Sequence, residues 1–451
     1  MNKLIRSFLL LLVSSLISCN ADDDTILSET DLSESFQGEV VWIKNFGGSG
    51  DDTAQSVIET TDGGYAVLGY TNSTDGDLQG KAQNVNDYWL LKLDSDGNLQ
   101  WSKTYGGSKD DRGQAIIQTL DGGYAITGYA MSDDGDGSNN NGFHDNWILK
   151  LNAQGNLEWE KSFGFSGHDH SYDLVQTTDG GFFFVGFLDI TSALADGTYY
   201  KGNSLTRHGV GEFWGTKIDA SGNLEWRSYY GGTNNDRAHA VVEADDGGFV
   251  MAGFSESEDF DISQSRGSYD FWVVKITMTG ELVWERSFGG TGIEIAYDIA
   301  KTDNNSYLIT GHTFSTDQDI ASHNGEADSW LIHVNDQGHL IWENTYGGSL
   351  FDAAQSVKSI SDNQILIAGN AKSDPLGEIP NSGENDMWIA KTDLQGQLLW
   401  QKTFGGSALD FGFDALEDQE QNLILVGSSD SPDFQGLDNK GGTDLIVIKL
   451  Q

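Results

Sequence analysis

Several things are scarce in this chain, and each scarcity excludes something. A single cysteine, Cys19, among 451 residues excludes a disulfide framework. Basic residues are few, with 25 Lys+Arg against 69 Asp+Glu and a formal net charge of -44. A field of that sign repels phosphate backbones, so nucleic acid is excluded as a partner class, and so is an electrostatic grip on anionic lipid headgroups. Helical periodicity is absent throughout. The only notable apolar run, Phe8 to Ile17, is too short to span a bilayer. Disorder does not follow from this acidity, because aromatics make up 11% of the chain and apolar residues alternate regularly. Only three prolines accompany 57 glycines, which fits tight turns between short strands.

What is abundant is repetition. Trp42, Trp101, Trp159, Trp226, Trp284, Trp342 and Trp400 stand 59, 58, 67, 58, 58 and 58 residues apart in matching local text. One supersecondary unit is therefore copied seven times. A single copy reads as four strands: Gly113–Thr119, Tyr124–Tyr129, Asn146–Leu151 and Leu157–Phe163. They are rich in β-branched and aromatic residues and bounded by Gly, Asn and Asp, as hairpin-joined strands are. Four short strands repeated seven times predict an all-β fold, a seven-bladed β-propeller with four-stranded blades. A solenoid is the alternative, but it would use shorter repeats and distinct capping units. The chain begins with a lone fourth strand, 40–46, and finishes on a third strand, 444–450. Pairing the two would complete the last blade and close the ring, leaving no open edge.

The amino end carries an address. Lys3 and Arg6 precede the short apolar run, the pattern of a secretory signal over residues 1–19. Leu16-Ile17-Ser18-Cys19 resembles the bacterial lipobox, which implies that Cys19 is lipidated and becomes the first mature residue. Asn20-Ala21-Asp22-Asp23-Asp24 resembles the acidic export signal of Bacteroidota surface lipoproteins, which implies an outer-membrane lipoprotein exposed at the cell surface. Residues 20–37 read as a flexible acidic tether and 38–451 as a single propeller. The text Lys92 to Trp101 resembles the tryptophan-docking repeat of quinoprotein propellers. The W-x-K-x-[FY]-G-G and D-G-G-[FY] elements are similar to repeats of secreted bacterial propellers. This resemblance covers residues 39 to 451 and speaks to fold more than to activity.

Two acidic series recur in every unit. Asp87, Asp145, Glu212, Asp270, Asp328, Asp386 and Asp444 precede the third strands; Asp52, Asp111, Asp169, Asp236, Glu294, Asp352 and Asp410 follow the Gly-Gly element. Seven equivalent carboxylates suit loop fixation by accepted N–H bonds, since an active site needs one asymmetric constellation. Function is expected where the copies differ, on the face that gathers the long second-to-third loops and the fourth-to-first connections. The third unit departs most, adding His168, His170, Tyr199, Tyr200, Arg207 and His208; with His144 and His239, five of the nine histidines fall in this sector. A His-x-His pair with a carboxylate is a transition-metal ligand set, and solvated loop histidines are the plainer reading. Aligning the copies puts Gln55, Gln114, Tyr172, His239, Tyr297, Gln355 and Phe413 at one level of the axial channel, either a shallow ligand-binding floor or ordinary packing around the axis. Asp134, Asp136, Ser138 and Asn140 alternate as oxygen ligands do in Ca2+ loops, without the bidentate glutamate that completes one.

These features predict a non-enzymatic, monomeric scaffold anchored to outer-membrane lipid through Cys19, binding a glycan, protein or envelope partner and needing no cofactor. The alternative is a propeller enzyme, polysaccharide-degrading or quinoprotein-like, with its site near the third unit around Asp169, His170, Arg207 and Glu212. Quinoproteins of the resembled class often carry an adjacent cysteine pair, which Cys19 alone cannot supply.

Overall fold

The computed structural model describes residues 36–78, 80–189, 211–374 and 381–451. Residues Gly38–Gln451 form one unit of seven antiparallel four-stranded sheets. We number the blades by chain order: blade 1 is 52–105, blade 2 is 111–163, blade 3 is 169–230, blade 4 is 236–288, blade 5 is 294–346, blade 6 is 352–404, and blade 7 is 410–450 with 40–46. The only helical turns among the described residues are the short 3-10 segments Ser361–Asn363 and Phe434–Gly436. In blade 2 the strands run Asp111–Gln118, Tyr124–Ala130, Asp145–Leu151 and Leu157–Phe163, within two residues of the boundaries expected from sequence.

Ring closure is as expected. Val40–Phe46 pairs antiparallel with Asp444–Leu450, with Lys44 opposite Val447. Glu39 and Gln451 exchange both backbone hydrogen bonds, each at 2.9 Å. The first residues thus supply the outer strand that the last blade lacks, and Phe46 joins Ile424, Val426, Leu445 and Val447 in one buried cluster with blade 1.

Two tryptophan series build the blades. Trp89, Trp147, Trp214, Trp272, Trp330 and Trp388, in the third strands, are fully buried. The indole N–H groups of all but Trp214 reach back to the fourth strand in the same blade, as Trp272 does to Glu285 at 2.9 Å. Blade 7 has Ile446 at that position. The repeat-defining series is only half-buried and docks on the next blade instead. Trp284 donates to the Asp336 carbonyl at 2.9 Å, and Trp342 to Leu394 at 3.0 Å. Each of these rings covers a turn glycine: Gly338 has φ +73°, and a Cβ there would stand 2.9 Å from Trp284. Only glycine meets both conditions. The series closes on itself, because Trp400 lies against Gly38, in the segment leading to the first strand.

The third-strand lysines are buried, and the ammonium groups of Lys92, Lys150, Lys217 and Lys275 pair with the Asp of the Asp-Gly-Gly turns, whereas Lys449 pairs with Asp418 and Lys391 approaches Glu417. Lys92 meets Asp62 at 3.0 Å, and Lys275 meets Asp246 at 2.9 Å.

Deleting residues 38–46 should expose the edge of Asp444–Leu450 and unseat Trp400. The expected outcome is a fall in thermal midpoint of more than 10 °C, with association through the bared edge, seen by calorimetry and light scattering; an unchanged midpoint would contradict closure.

Candidate functional site

Each innermost strand carries a register shift at the same place. The ladder skips from Ala54 to Ser56 in blade 1, and from Gly113 to Ala115 in blade 2. It does so again at Ser171/Asp173, Ala238/Ala240, Ala296/Asp298, Ala354/Ser356 and Gly412/Asp414. The skipped residue of a β-bulge is left unpaired and its side chain is re-aimed. The skipped residues are Gln55, Gln114, Tyr172, His239, Tyr297, Gln355 and Phe413, and together they line one axial pocket of about 340 Å3. Three amides, two phenols, an imidazole and a phenyl ring therefore face one space. His239 is held by its Nδ1 against the Ala296 carbonyl at 2.7 Å and stacks on Tyr297. Burial lowers its pKa to about 4, so it is neutral at physiological pH.

One residue further along, the ring becomes asymmetric. Asp173, Asp298 and Asp414 each accept the backbone N–H of the following blade, from Val241 at 2.8 Å, Val357 at 2.9 Å and Val57 at 3.0 Å. These bonds tie neighbouring blades together. Lys358 stands between two of these carboxylates, 2.8 Å from Asp298 and 3.3 Å from Asp414. Burial opposes its charge, but Asp298 and Asp414 hold the ammonium well above its ordinary range. Burial pushes the Asp173 carboxyl up to about 7, with Asp298 adding repulsion.

At the channel mouth, blades 2 and 3 bring three histidines together. His144 Nδ1 is 3.0 Å from His168 Nδ1 and 3.2 Å from His170 Nε2. Their ligand atoms all lie within 4.8 Å of one another, the one such group of His, Cys, Asp or Glu side chains found among the described residues. His170 stacks on Tyr129 at 3.8 Å, and its Nδ1 faces the Tyr172 hydroxyl at 3.4 Å. Burial, then repulsion from His168, lowers His144 to about 4; burial, then His144, lowers His170 to about 2. Tyr172 belongs to both groups, so the histidine cluster adjoins the axial pocket.

Tyr199, Tyr200, Arg207 and His208 lie outside the described residues, as does Cys19. Asp134 accepts the Ser108 N–H at 2.8 Å and Asp136 accepts the Gly106 N–H at 3.3 Å, latching their loop to the preceding connection. Asp75 and Asp77 in blade 1, Asp259 and Asp261 in blade 4, and Asp317 and Asp319 in blade 5 make the same latch. Ser138 donates to Glu160 at 2.5 Å, and Asn140 to the Ala130 carbonyl at 2.6 Å. The second acidic series does the loop-fixing expected of it. In all seven blades its carboxylate accepts a backbone N–H four residues earlier, from Gly48 at 2.8 Å in blade 1 to Gly406 at 2.7 Å in blade 7. Burial pushes Asp169 of this series up to about 7 and Asp236 to about 6.

Sequence reasoning missed the Lys358 network, although a signal existed. The aligned column reads Ile58, Ile117, Val175, Val242, Ala300, Lys358 and Leu416, one cation among apolar residues.

Two outcomes follow for stability. Lys358→Met leaves Asp298 and Asp414 facing each other without a cation. With its side chain 37% exposed to the channel, the loss should be about 2 kcal/mol in denaturant unfolding, less than for a dry ion pair. Adding Asp298→Asn should recover part of it; no loss in the single variant would contradict the network. Separately, Asp169, Asp173 and Asp236 have folded pKa values above the unfolded carboxylate range. Their contribution is present below about pH 4 and is lost as pH rises through about 6 to 7. His144, His170 and His239, whose folded pKa values lie below the unfolded one, gain stability over the lower part of that range. Asp173→Asn isolates the carboxylate effect: relative to the parent, its thermal midpoint should rise by about 2 °C between pH 5 and pH 8, and an identical pH dependence would contradict this reading.

No family model matches the chain. Among curated proteins it is 24% identical over 246 residues to the Regulatory protein FlaEY of Caulobacter vibrioides, covering 51% of this chain and 26% of that one. The chain thus spans about a quarter of that relative's length. Among solved structures it is similar to the Pan2 WD40 domain of Neurospora crassa, with 8% identity, 89% of each chain covered and a TM-score of 0.45. It is also similar to Sqt1 from Chaetomium thermophilum, with 10% identity, 90% of this chain and 99% of that one covered, and a TM-score of 0.43.

Proposed function

We propose that this chain is a lipid-anchored surface propeller that binds an envelope partner without transforming it, and that the end of a glycan chain seats in the axial pocket. The observation that carries the reading is the convergence of seven bulged side chains on one space of about 340 Å3. Gln55, Gln114 and Gln355 offer amide donors and acceptors, which suit hydroxyl groups in either direction. Tyr172, Tyr297 and Phe413 offer ring faces against which the C–H face of a sugar can lie. The net charge of -44 disfavours anionic ligands, so a neutral glycan fits the field better than a uronate or phosphate. Anchoring rests on the lipobox-like Leu16–Cys19 and the aspartates after it.

The direct test is a glycan array probed with residues 38–451, followed by titration of the best ligand into His239→Ala and Tyr297→Ala. Each variant should weaken binding about tenfold or more, the loss of one buried contact. Absence of any glycan bound above background, or an affinity unchanged from the parent chain in both variants, would contradict the reading. In cells, Cys19→Ser should move the chain from the membrane to the soluble fraction; retention in the membrane would contradict the anchor.

A further inference from the structure

We infer that His144, His168 and His170 form a three-imidazole site for a divalent transition metal of the zinc class at the mouth of the axial channel. The first argument is distance. Two nitrogens bound 2.0–2.1 Å from one tetrahedral ion stand about 3.3 Å apart. His144 Nδ1 lies 3.0 Å from His168 Nδ1 and 3.2 Å from His170 Nε2, so the atoms already have near-ligand spacing.

The second argument is proton accounting. A ring nitrogen of neutral imidazole is either one donor or one acceptor. His144 Nδ1 faces two ring nitrogens, so hydrogen bonding alone would have to share a single lone pair or a single proton between them. A cation resolves this, because all three lone pairs then point at one charge. Two of the three remaining nitrogens have a polar group beside them. His170 Nδ1 faces the Tyr172 hydroxyl at 3.4 Å. His144 Nε2 is buried without a hydrogen-bond partner and lies 4.0 Å from the Asp110 carboxylate. A carboxylate behind the far nitrogen of a ligating histidine is the usual way its tautomer and orientation are set.

The third argument comes from the repeat. His144 and His168 form an isolated parallel bridge that recurs at four other junctions, as Gly211 with Asn235, Tyr269 with Ile293, Ala327 with Phe351, and Asn385 with Leu409. The framework therefore does not require histidine. At the blade 5–6 junction the three equivalent positions are Ala327, Phe351 and Ala353, and at the blade 6–7 junction they are Asn385, Leu409 and Phe411. Only between blades 2 and 3 are all three imidazoles. The rings are also pre-set: His170 lies flat on Tyr129, and His144 and His168 both pack on Phe143, with centroids 4.8 and 4.6 Å away. Three protein ligands leave a tetrahedral ion one position for water or a ligand donor.

The test is calorimetric titration of ZnCl2 into the full chain, with CoCl2 as a spectroscopic probe. One equivalent of Zn2+ should bind, and Co2+ should give the intense visible bands of a tetrahedral site. His168 is exposed, so His168→Ala should leave the thermal midpoint of the metal-free chain unchanged while weakening Zn2+ about 100-fold. His144→Ala should do the same to affinity, and Asp110→Asn should weaken it about tenfold. Failure of Zn2+ to bind, binding that survives His168→Ala with His144→Ala together, or an octahedral Co2+ spectrum would each overturn the site.

Discussion

The backbone ladder between Val40–Phe46 and Asp444–Leu450 is the constraint on which the rest depends. Seven sheets of similar shape can be stacked in a line or closed in a ring. What distinguishes the two is whether the last sheet has a partner for its third strand. Here the partner comes from the other end of the chain, and the docking of Trp400 on Gly38 repeats at the seam the contact that Trp284 makes on Gly338 elsewhere. Closure then forces the seven innermost strands to face one axis.

That convergence turns a local backbone feature into a site. A bulge in one strand bends it and re-aims one residue. Seven bulges at the same level aim seven residues at a common space, and the scaffold does not dictate their identity. The same holds one residue further along, where Asp173, Asp298 and Asp414 occur in three blades and Lys358 compensates two of them. Structural demands are met by what repeats: carboxylates latching loops, tryptophans on glycines, lysines on turn aspartates. Residues that break the repeat gather at the axis and at its mouth between blades 2 and 3.

Much of this was legible in the sequence, for a physical reason. A 58-residue period with alternating strands is a statement about backbone geometry, so strand positions, ring closure and the shared level of Gln55 and its equivalents follow from alignment of the copies. The bulges were not legible, because the skipped residues share no type: a glutamine, a tyrosine, a histidine and a phenylalanine all serve. His168 and His170 read as a His-x-His pair with His144 in the same sector, but the pattern does not single out His144 as their partner, since it belongs to the previous blade, 24 residues earlier than His168. The link was present in the repeat, since each of these two stands one residue before an invariant acidic position, Asp145 and Asp169. Asp134 and Asp136, which read alone suggest a calcium loop, also take part in a backbone latch that Asp75 and Asp77 or Asp317 and Asp319 repeat.

Hydrogen exchange of the backbone amides in Val40–Phe46 and Asp444–Leu450 addresses the ring most directly. The account predicts that both strands exchange as slowly as Leu423–Ser429 in the same blade, opening only with the global transition. Free-chain exchange across Val40–Phe46, with the other strands still protected, would mean that the circle is open and that no axial site is assembled.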